Sequence, residues 1–272
     1  MEMTTKLEAP VQKIVNLVNA TAWQGEQLNA QILDFMGIYM IPSFLDEEIV
    51  ADLLGAYDND SEKTSVPFHP TRVETENAVL LHKLVNQRKL KRLFESGVFF
   101  AGNVSADRPL FFRKDKENVK KVMLHNDLDY MAGASEAYSF FFALTDANQS
   151  NGGLIIYPAT HNFGSLGDAG EINADVLPDG YPIIRTDLRA GDLLIMHSAI
   201  WHCSGENLTG NDRVYLELKV KAANDPTANV LVAGTSTSEF KNKIRKDLLF
   251  LLSREQRLKA LYAELHDKVG QN

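Results

Sequence analysis

The chain has 272 residues, 44% hydrophobic and 24% charged, a balance that supports a buried core and excludes the composition of disordered segments. A formal net charge of −8 speaks against a general nucleic-acid binder, whose affinity rests on clustered Lys and Arg neutralising phosphates. The single cysteine, Cys203, excludes an intramolecular disulfide, no apolar run approaches the ~18 residues of a membrane span, and Met1 to Glu8 lack the basic-then-apolar order of a secretory signal, so cytoplasm is the expected location.

Taken in chain order, Val11, Ile14, Val15 and Val18 recur at helical spacing, and Gln31 to Met36 predict a further turn or two ending at Gly37. Ile38 to Ile41, β-branched and aromatic, predict a short strand that Pro42 halts. Asp46 then suits the cap of a helix whose first turn carries Glu47 and Glu48, where the macrodipole favours acids; this helix would bury Ile49, Leu53 and Leu54. The segments Asp58 to Glu76 and Gly164 to Pro182 carry no assignment.

From about Val98 to Val220 the pattern changes to short strands: Pro109 to Arg113, Lys121 to Asp127, Tyr138 to Leu144, Gly153 to Tyr157, Asp192 to His197 and Val214 to Val220. Asn151-Gly152-Gly153 and Ala190-Gly191-Asp192 punctuate them. Regular short strands predict a barrel or sandwich. Arg113-Lys114-Asp115-Lys116 with Lys120-Lys121 reads as a solvated loop, the sharper alternative being a patch that steers an anionic substrate. Beyond Thr235 the helical period returns through Phe240, Ile244, Leu248, Leu251 and Leu252, and Ser253 with Gln256 forms a capping box for a last helix burying Leu258, Leu261, Tyr262 and Leu265. With no repeat, linker or low-complexity tract, the expectation is one domain over 1–272. It comprises a helical flank about 1–97, a β core about 98–225 and C-terminal helices about 236–268.

His125 and Asp127, two positions apart on a predicted strand, would share a face and chelate one ion. A third, distant imidazole would complete a 2-His-1-carboxylate triad, the donor set of non-haem Fe(II) oxygen chemistry. Of seven histidines, His69 and His82 lack a partner carboxylate at chelating spacing, His266 sits in the predicted final helix, and His161 lies in a predicted turn. His197 and His202 are an odd number apart, so on one continuous strand they face opposite sides. His202, which shares its face with Ser204, is the expected ligand, with His197 packing or hydrogen-bonding behind it. Cys203, on the other face, reads as a small buried residue rather than a reactive thiolate.

Arg213 opens a strand of strict alternation, with Arg213, Tyr215, Glu217 and Lys219 on one face and Val214, Leu216, Leu218 and Val220 on the other. Alternation alone places the polar face in water. A guanidinium close in sequence to His202 is nevertheless the side chain best matched to a carboxylate, and 2-oxoglutarate needs its far carboxylate held while its other end chelates iron. Ser204 would add a hydrogen bond, and Tyr130 would line the substrate pocket.

Several separated blocks resemble the phytanoyl-CoA dioxygenase family of Fe(II)- and 2-oxoglutarate-dependent oxygenases: Ile38 to Leu45, His125-Asn126-Asp127-Leu128-Asp129-Tyr130, Asn151 to Leu154 with Pro158 to His161, and Gly191 to Arg213. The resemblance spans roughly residues 30 to 225. It implies a mainly β fold with flanking helices around a double-stranded β-helix (jelly-roll, cupin-like) core. It further implies His125, Asp127 and His202 as iron ligands, and Arg213 and Ser204 holding 2-oxoglutarate. Asn126 departs from the family's commoner glutamine. The expected reaction uses Fe(II), 2-oxoglutarate and O2 to hydroxylate a C–H bond of a small molecule, forming succinate and CO2. Desaturation or ring closure could follow the same hydrogen abstraction, whereas Asp127 fills the position that halogenation would need vacant. A cupin-like metalloenzyme without 2-oxoglutarate, or a non-catalytic binding protein on the same scaffold, are the competing readings.

Overall fold

Strands rich in Val, Ile, Leu and Phe build two antiparallel sheets in the computed structural model, which describes residues 2–59, 64–66, 69–74, 83–107, 109–115, 120–131, 136–166, 170–225 and 230–235. In chain order the strands are β1 (Ile38–Ile41), β2 (Thr64–Val66), β3 (His69–Glu74), β4 (Val104–Ala106), β5 (Leu110–Lys114), β6 (Val122–His125), β7 (Ala137–Ala143), β8 (Leu154–Tyr157), β9 (Ile184–Arg185), β10 (Leu193–His197), β11 (Trp201–Ser204), β12 (Arg213–Ala222) and β13 (Val230–Ala233). The larger sheet runs β1-β10-β7-β12-β5-β3-β2, with β4 pairing β12 and β13; the smaller runs β6-β11-β8-β9. Two facing antiparallel sheets form the jelly-roll core of a double-stranded β-helix. The predicted β segments all appear, while β2 and β3 occupy a stretch without sequence assignment and enlarge the sheet beyond the expected core.

The larger sheet is buried on both faces, and this sorts the side chains of β12. Its apolar row, Val214, Leu216, Leu218 and Val220, packs with Phe111, Phe140, Phe142, Leu193 and Ile195 against two helices, α3 (Glu47–Asn59) and α4 (Arg88–Glu95). Its polar row faces the smaller sheet, where Tyr215 joins Phe141, Leu154, Ile156, Leu194 and Met196. In α3 the core face is Val50, Leu53 and Tyr57, with Ile49 and Leu54 half-buried, a rotation of the face expected from sequence. Helix α1 (Glu2–Asn19) contributes Ile14.

Short range signals hold at the chain reversals. The Asn29 side chain accepts from Ile32 N at 3.2 Å to start α2 (Ala30–Met36), and Gly37, at φ 71°, ends it through an N–H to Leu33 O bond. Gly191 sits at φ +96° with the Leu45 carbonyl 2.7 Å from where a Cβ would stand, so the turn into β10 admits only glycine without strain. The helices expected beyond Thr235 lie outside the described residues. Among the described residues no helix is long and apolar enough to cross a membrane.

Phe140 is fully buried, with Phe99 and Phe94 rings at 5.1 and 5.7 Å. Phe140→Ala should therefore cost about 3–5 kcal/mol, seen as a lower urea midpoint with an unchanged m value; a loss within experimental error would contradict this packing.

Candidate metal centre

β6 ends at His125, and the chain does not continue as a strand to Asp127. Asp127 has helical dihedrals (φ −77°, ψ −28°) and leads into a 3-10 turn over Leu128–Tyr130. The N–H groups of Asp127 and Leu128 both donate to Ser198 O at 2.9 Å. A pinned turn, rather than the predicted strand alternation, thus swings the carboxylate toward the imidazole. His202 lies opposite His125 in the β11–β6 register, and paired residues on antiparallel strands share a face. Their rings are 4.4 Å apart.

Asp127 Oδ1 lies 3.5 Å from His125 Nε2 and 3.8 Å from His202 Nε2. All three ligand atoms fall within 4.8 Å of one another, forming the one such group among the described residues. Each histidine donates its Nδ1–H to a backbone carbonyl, His125 to Met123 O at 2.8 Å and His202 to Ile200 O at 3.1 Å. This tautomer leaves both Nε2 lone pairs aimed at the shared space. Burial and the neighbouring His125 push His202 down to about 4, so it is neutral and able to coordinate. For His125, burial lowers the pKa, but the Asp127 hydrogen bond and charge, helped by Met123 O, outweigh it and raise the value. Burial would raise Asp127; Lys219, His125 and His202 reverse that and hold it well below the usual carboxylate range.

The other histidines with described side chains, His161 and His197, stand apart from this cluster. His197 and His202 are not on one continuous strand: Ser198 to Ile200 break the chain between β10 and β11, which belong to different sheets. His197 packs between Tyr138 and His161, each with ring centroids at 5.1 Å, and its Nδ1 accepts from Ala199 N. His161 donates Nε2–H to Asp34 O at 2.9 Å, fastening the turn after β8 to α2. The His69 side chain, His82 and His266 lie outside the described residues.

Arg213 corrects the expectation drawn from alternation. It is 3% exposed, because both faces of β12 are covered and its polar row lines the space between the sheets. Nη1–H donates to Gly152 O at 2.7 Å, the guanidinium carbon lies 4.4 Å from the Tyr215 ring centroid, and the buried Nε–H has no hydrogen-bond partner among the described residues. Ser204 is buried on the His202 face of β11. Tyr130 meets the His125 ring edge-on at 6.0 Å. Cys203 is half-buried rather than buried, and desolvation raises its thiol pKa.

The first half of the basic run, Arg113 to Asp115, is not a solvated loop. Lys114 is fully buried and donates Nζ–H to Lys120 O at 2.8 Å and to Gly205 O. Burial, then the charge of Arg213, bring it down to about 7. Arg113 pairs with buried Asp115 at 2.6 Å. Lys120 and Lys121 are exposed.

Three residues beside the cluster escaped the sequence reading. Lys219 Nζ lies 2.7 Å from Asp127 Oδ2, 2.5 Å from Ser139 Oγ and 2.9 Å from Glu217 Oε1. A signal for them existed: Lys219 and Glu217 share the strand face of Arg213, so an inward guanidinium carries both inward too.

A model of the phytanoyl-CoA dioxygenase family matches residues 33–215, and no curated protein matches the chain. Among solved structures, the α-ketoglutarate-dependent epimerase SnoN of nogalamycin biosynthesis superposes with a TM-score of 0.58 at 20% identity, covering 72% of this chain and 82% of that one. EvdO2 from Micromonospora carbonacea var. aurantiaca, complexed with 2-oxoglutarate, gives 0.58 at 18% identity, covering 72% and 92%. EctD from S. alaskensis, with 2-oxoglutarate and 5-hydroxyectoine, gives 0.60 at 17% identity, covering 71% and 74%. At these identities the likeness shows a shared fold.

Burial, with His161 adding to it, pushes His197 down to about 4, whereas an unfolded histidine takes its proton near 6.5. The folded state therefore binds fewer protons, and its stability is present above about pH 6.5 and lost as pH falls toward 4. Urea denaturation of metal-free protein should show roughly 2 kcal/mol from this residue lost between pH 7 and 4.5, and His197→Gln should flatten that part of the dependence. An identical pH slope in the variant would refute the assignment.

Proposed function

The chain belongs to the phytanoyl-CoA dioxygenase family, and from that premise we propose that it is an Fe(II)- and 2-oxoglutarate-dependent dioxygenase, acting as one oxygenase domain on a small-molecule substrate. The observation that carries this reading is the convergence of His125 Nε2, Asp127 Oδ1 and His202 Nε2 within 4.8 Å. Two neutral-capable imidazoles and one carboxylate fit a divalent iron and leave coordination positions open. With Fe(II) bound, 2-oxoglutarate and O2 supply an oxidising equivalent through decarboxylation to succinate and CO2.

The protein's own part is orientation and shielding. His125, Asp127 and His202 hold the metal; Met123 O and Ile200 O keep the two rings in the coordinating tautomer. Arg213, buried and with an Nε–H that has no partner among the described residues, suits the distal carboxylate of 2-oxoglutarate, because a desolvated guanidinium recovers its lost hydration by charge-assisted bonds to an acid. Ser204, on the His202 face, adds a donor. Tyr130, against the edge of His125, lines the substrate side. Hydroxylation of a C–H bond is the proposed outcome. Product analysis separates it from epimerisation and from ring closure, the reactions for which SnoN and the carbocyclase SnoK are named.

Purified protein loaded anaerobically with Fe(II) should release succinate on addition of 2-oxoglutarate, O2 and a turned-over substrate from a small-molecule panel, and Asp127→Ala should abolish the signal. Unchanged turnover in Asp127→Ala, or full turnover without 2-oxoglutarate, would sink the reading. Arg213→Ala should raise the KM for 2-oxoglutarate about tenfold to a hundredfold, the loss of one charge-assisted contact, with Arg213→Lys recovering only part because it loses the planar fork.

A further inference from the structure

Asp127 has two carboxylate oxygens, and their surroundings differ. Oδ1 faces both imidazoles at 3.5 and 3.8 Å. Oδ2 faces away from them, taking the Lys219 ammonium at 2.7 Å and the Ser139 hydroxyl at 3.2 Å. Lys219 and Ser139 are register partners on β12 and β7, so the larger sheet reaches across the interior to grip a carboxylate carried by the turn after β6 of the smaller one. Nζ donates hydrogen bonds to Asp127 Oδ2 and Ser139 Oγ and lies 2.9 Å from Glu217 Oε1 as an ion pair. Glu217 is 4% exposed.

Resting on the metal reading above, we infer that Lys219 is a positioning residue: with Ser139 it occupies Asp127 Oδ2 and so restricts the carboxylate to one-oxygen coordination through Oδ1, while Glu217 cancels the ammonium charge. A buried ion pair is weak evidence of stabilisation in itself. A lone cation this close to a divalent metal would repel it. With Glu217 in place the pair is neutral as a unit, and Asp127 keeps its negative charge for the metal while its rotation is blocked. Partners of this kind, which act on a metal through its ligands, typically change affinity by about 10- to 100-fold.

The test uses full-length protein and Co(II) alone as probe, read by calorimetry and by its visible absorption bands. Lys219→Met/Glu217→Gln removes one positive and one negative charge together, leaving the net charge of the interior as it was, so a change reports orientation rather than attraction. The double variant should bind Co(II) about 10- to 100-fold more weakly with altered bands, because Oδ2 then keeps only the Ser139 hydroxyl and the carboxylate is less firmly held. Co(II) affinity within twofold of wild type together with unchanged bands, in a variant with native circular dichroism, would overturn the role of Lys219 and leave the metal site standing. A wild-type protein that binds no Co(II) would overturn the metal reading itself, and this inference with it. If the double variant fails to fold, Ser139→Ala carries the same test: it removes only the second donor to Oδ2, and should weaken Co(II) several-fold with a band shift in the same direction. Unaltered binding and bands there would overturn the inference.

Discussion

One strand of this protein carries four polar side chains, Arg213, Tyr215, Glu217 and Lys219, into the largely buried space between two sheets. Polar groups moved out of water must find partners or cost several kcal/mol, and most of the interior is arranged around that need. Arg213 takes the Gly152 carbonyl and the Tyr215 ring; Lys219 takes Ser139, Glu217 and Asp127. The apolar row of the same strand packs beneath α3 and α4, so β12 cannot turn over without exposing one set and stranding the other.

The consequence at the candidate metal centre is electrostatic. Three groups that would each prefer water are brought within a few ångströms, and each biases the others. The ammonium and the imidazoles keep Asp127 ionised despite burial; that carboxylate raises His125, while burial and His125 drive His202 down. The unlike behaviour of two chemically identical rings follows from the hydrogen bond that Asp127 makes to His125 and not to His202, since the backbone carbonyls on each Nδ1 act in the same direction on both. A site built this way brings its three candidate ligand atoms together before any ion arrives, which lowers the cost of assembling the centre.

Buried charge also organises regions outside the centre. Lys114 looks in sequence like part of a solvated basic loop, yet its ammonium closes onto the carbonyls of Lys120 and Gly205 and so fastens the β5–β6 connection to the end of β11. Gly152 is part of the same arrangement: at φ +83°, a Cβ there would lie 2.7 Å from Lys114 Cδ and 2.9 Å from Gly205 O. The glycine that punctuates the sequence before β8 thus leaves room for a lysine stem, and its carbonyl receives Arg213.

From the residues alone, periodicity, turn chemistry and donor types were enough to place the short strands and the α2 stop at Gly37 and to single out His125, Asp127 and His202, which the fold brings together, because these depend on neighbours a few positions away and on side-chain chemistry. The reasons for the ligand choice were another matter. His202 parts from His197 through a break that carries the chain from one sheet to the other, and Asp127 reaches the imidazoles through a turn pinned on Ser198. No local pattern encodes either event. Nor can alternation say which face of β12 is wet, since a polar row reads the same whether water or an opposing sheet lies beyond it. Only the tertiary structure decided that Arg213, Glu217 and Lys219 point inward, because burial is a property of what packs across the strand, supplied here by residues tens of positions away.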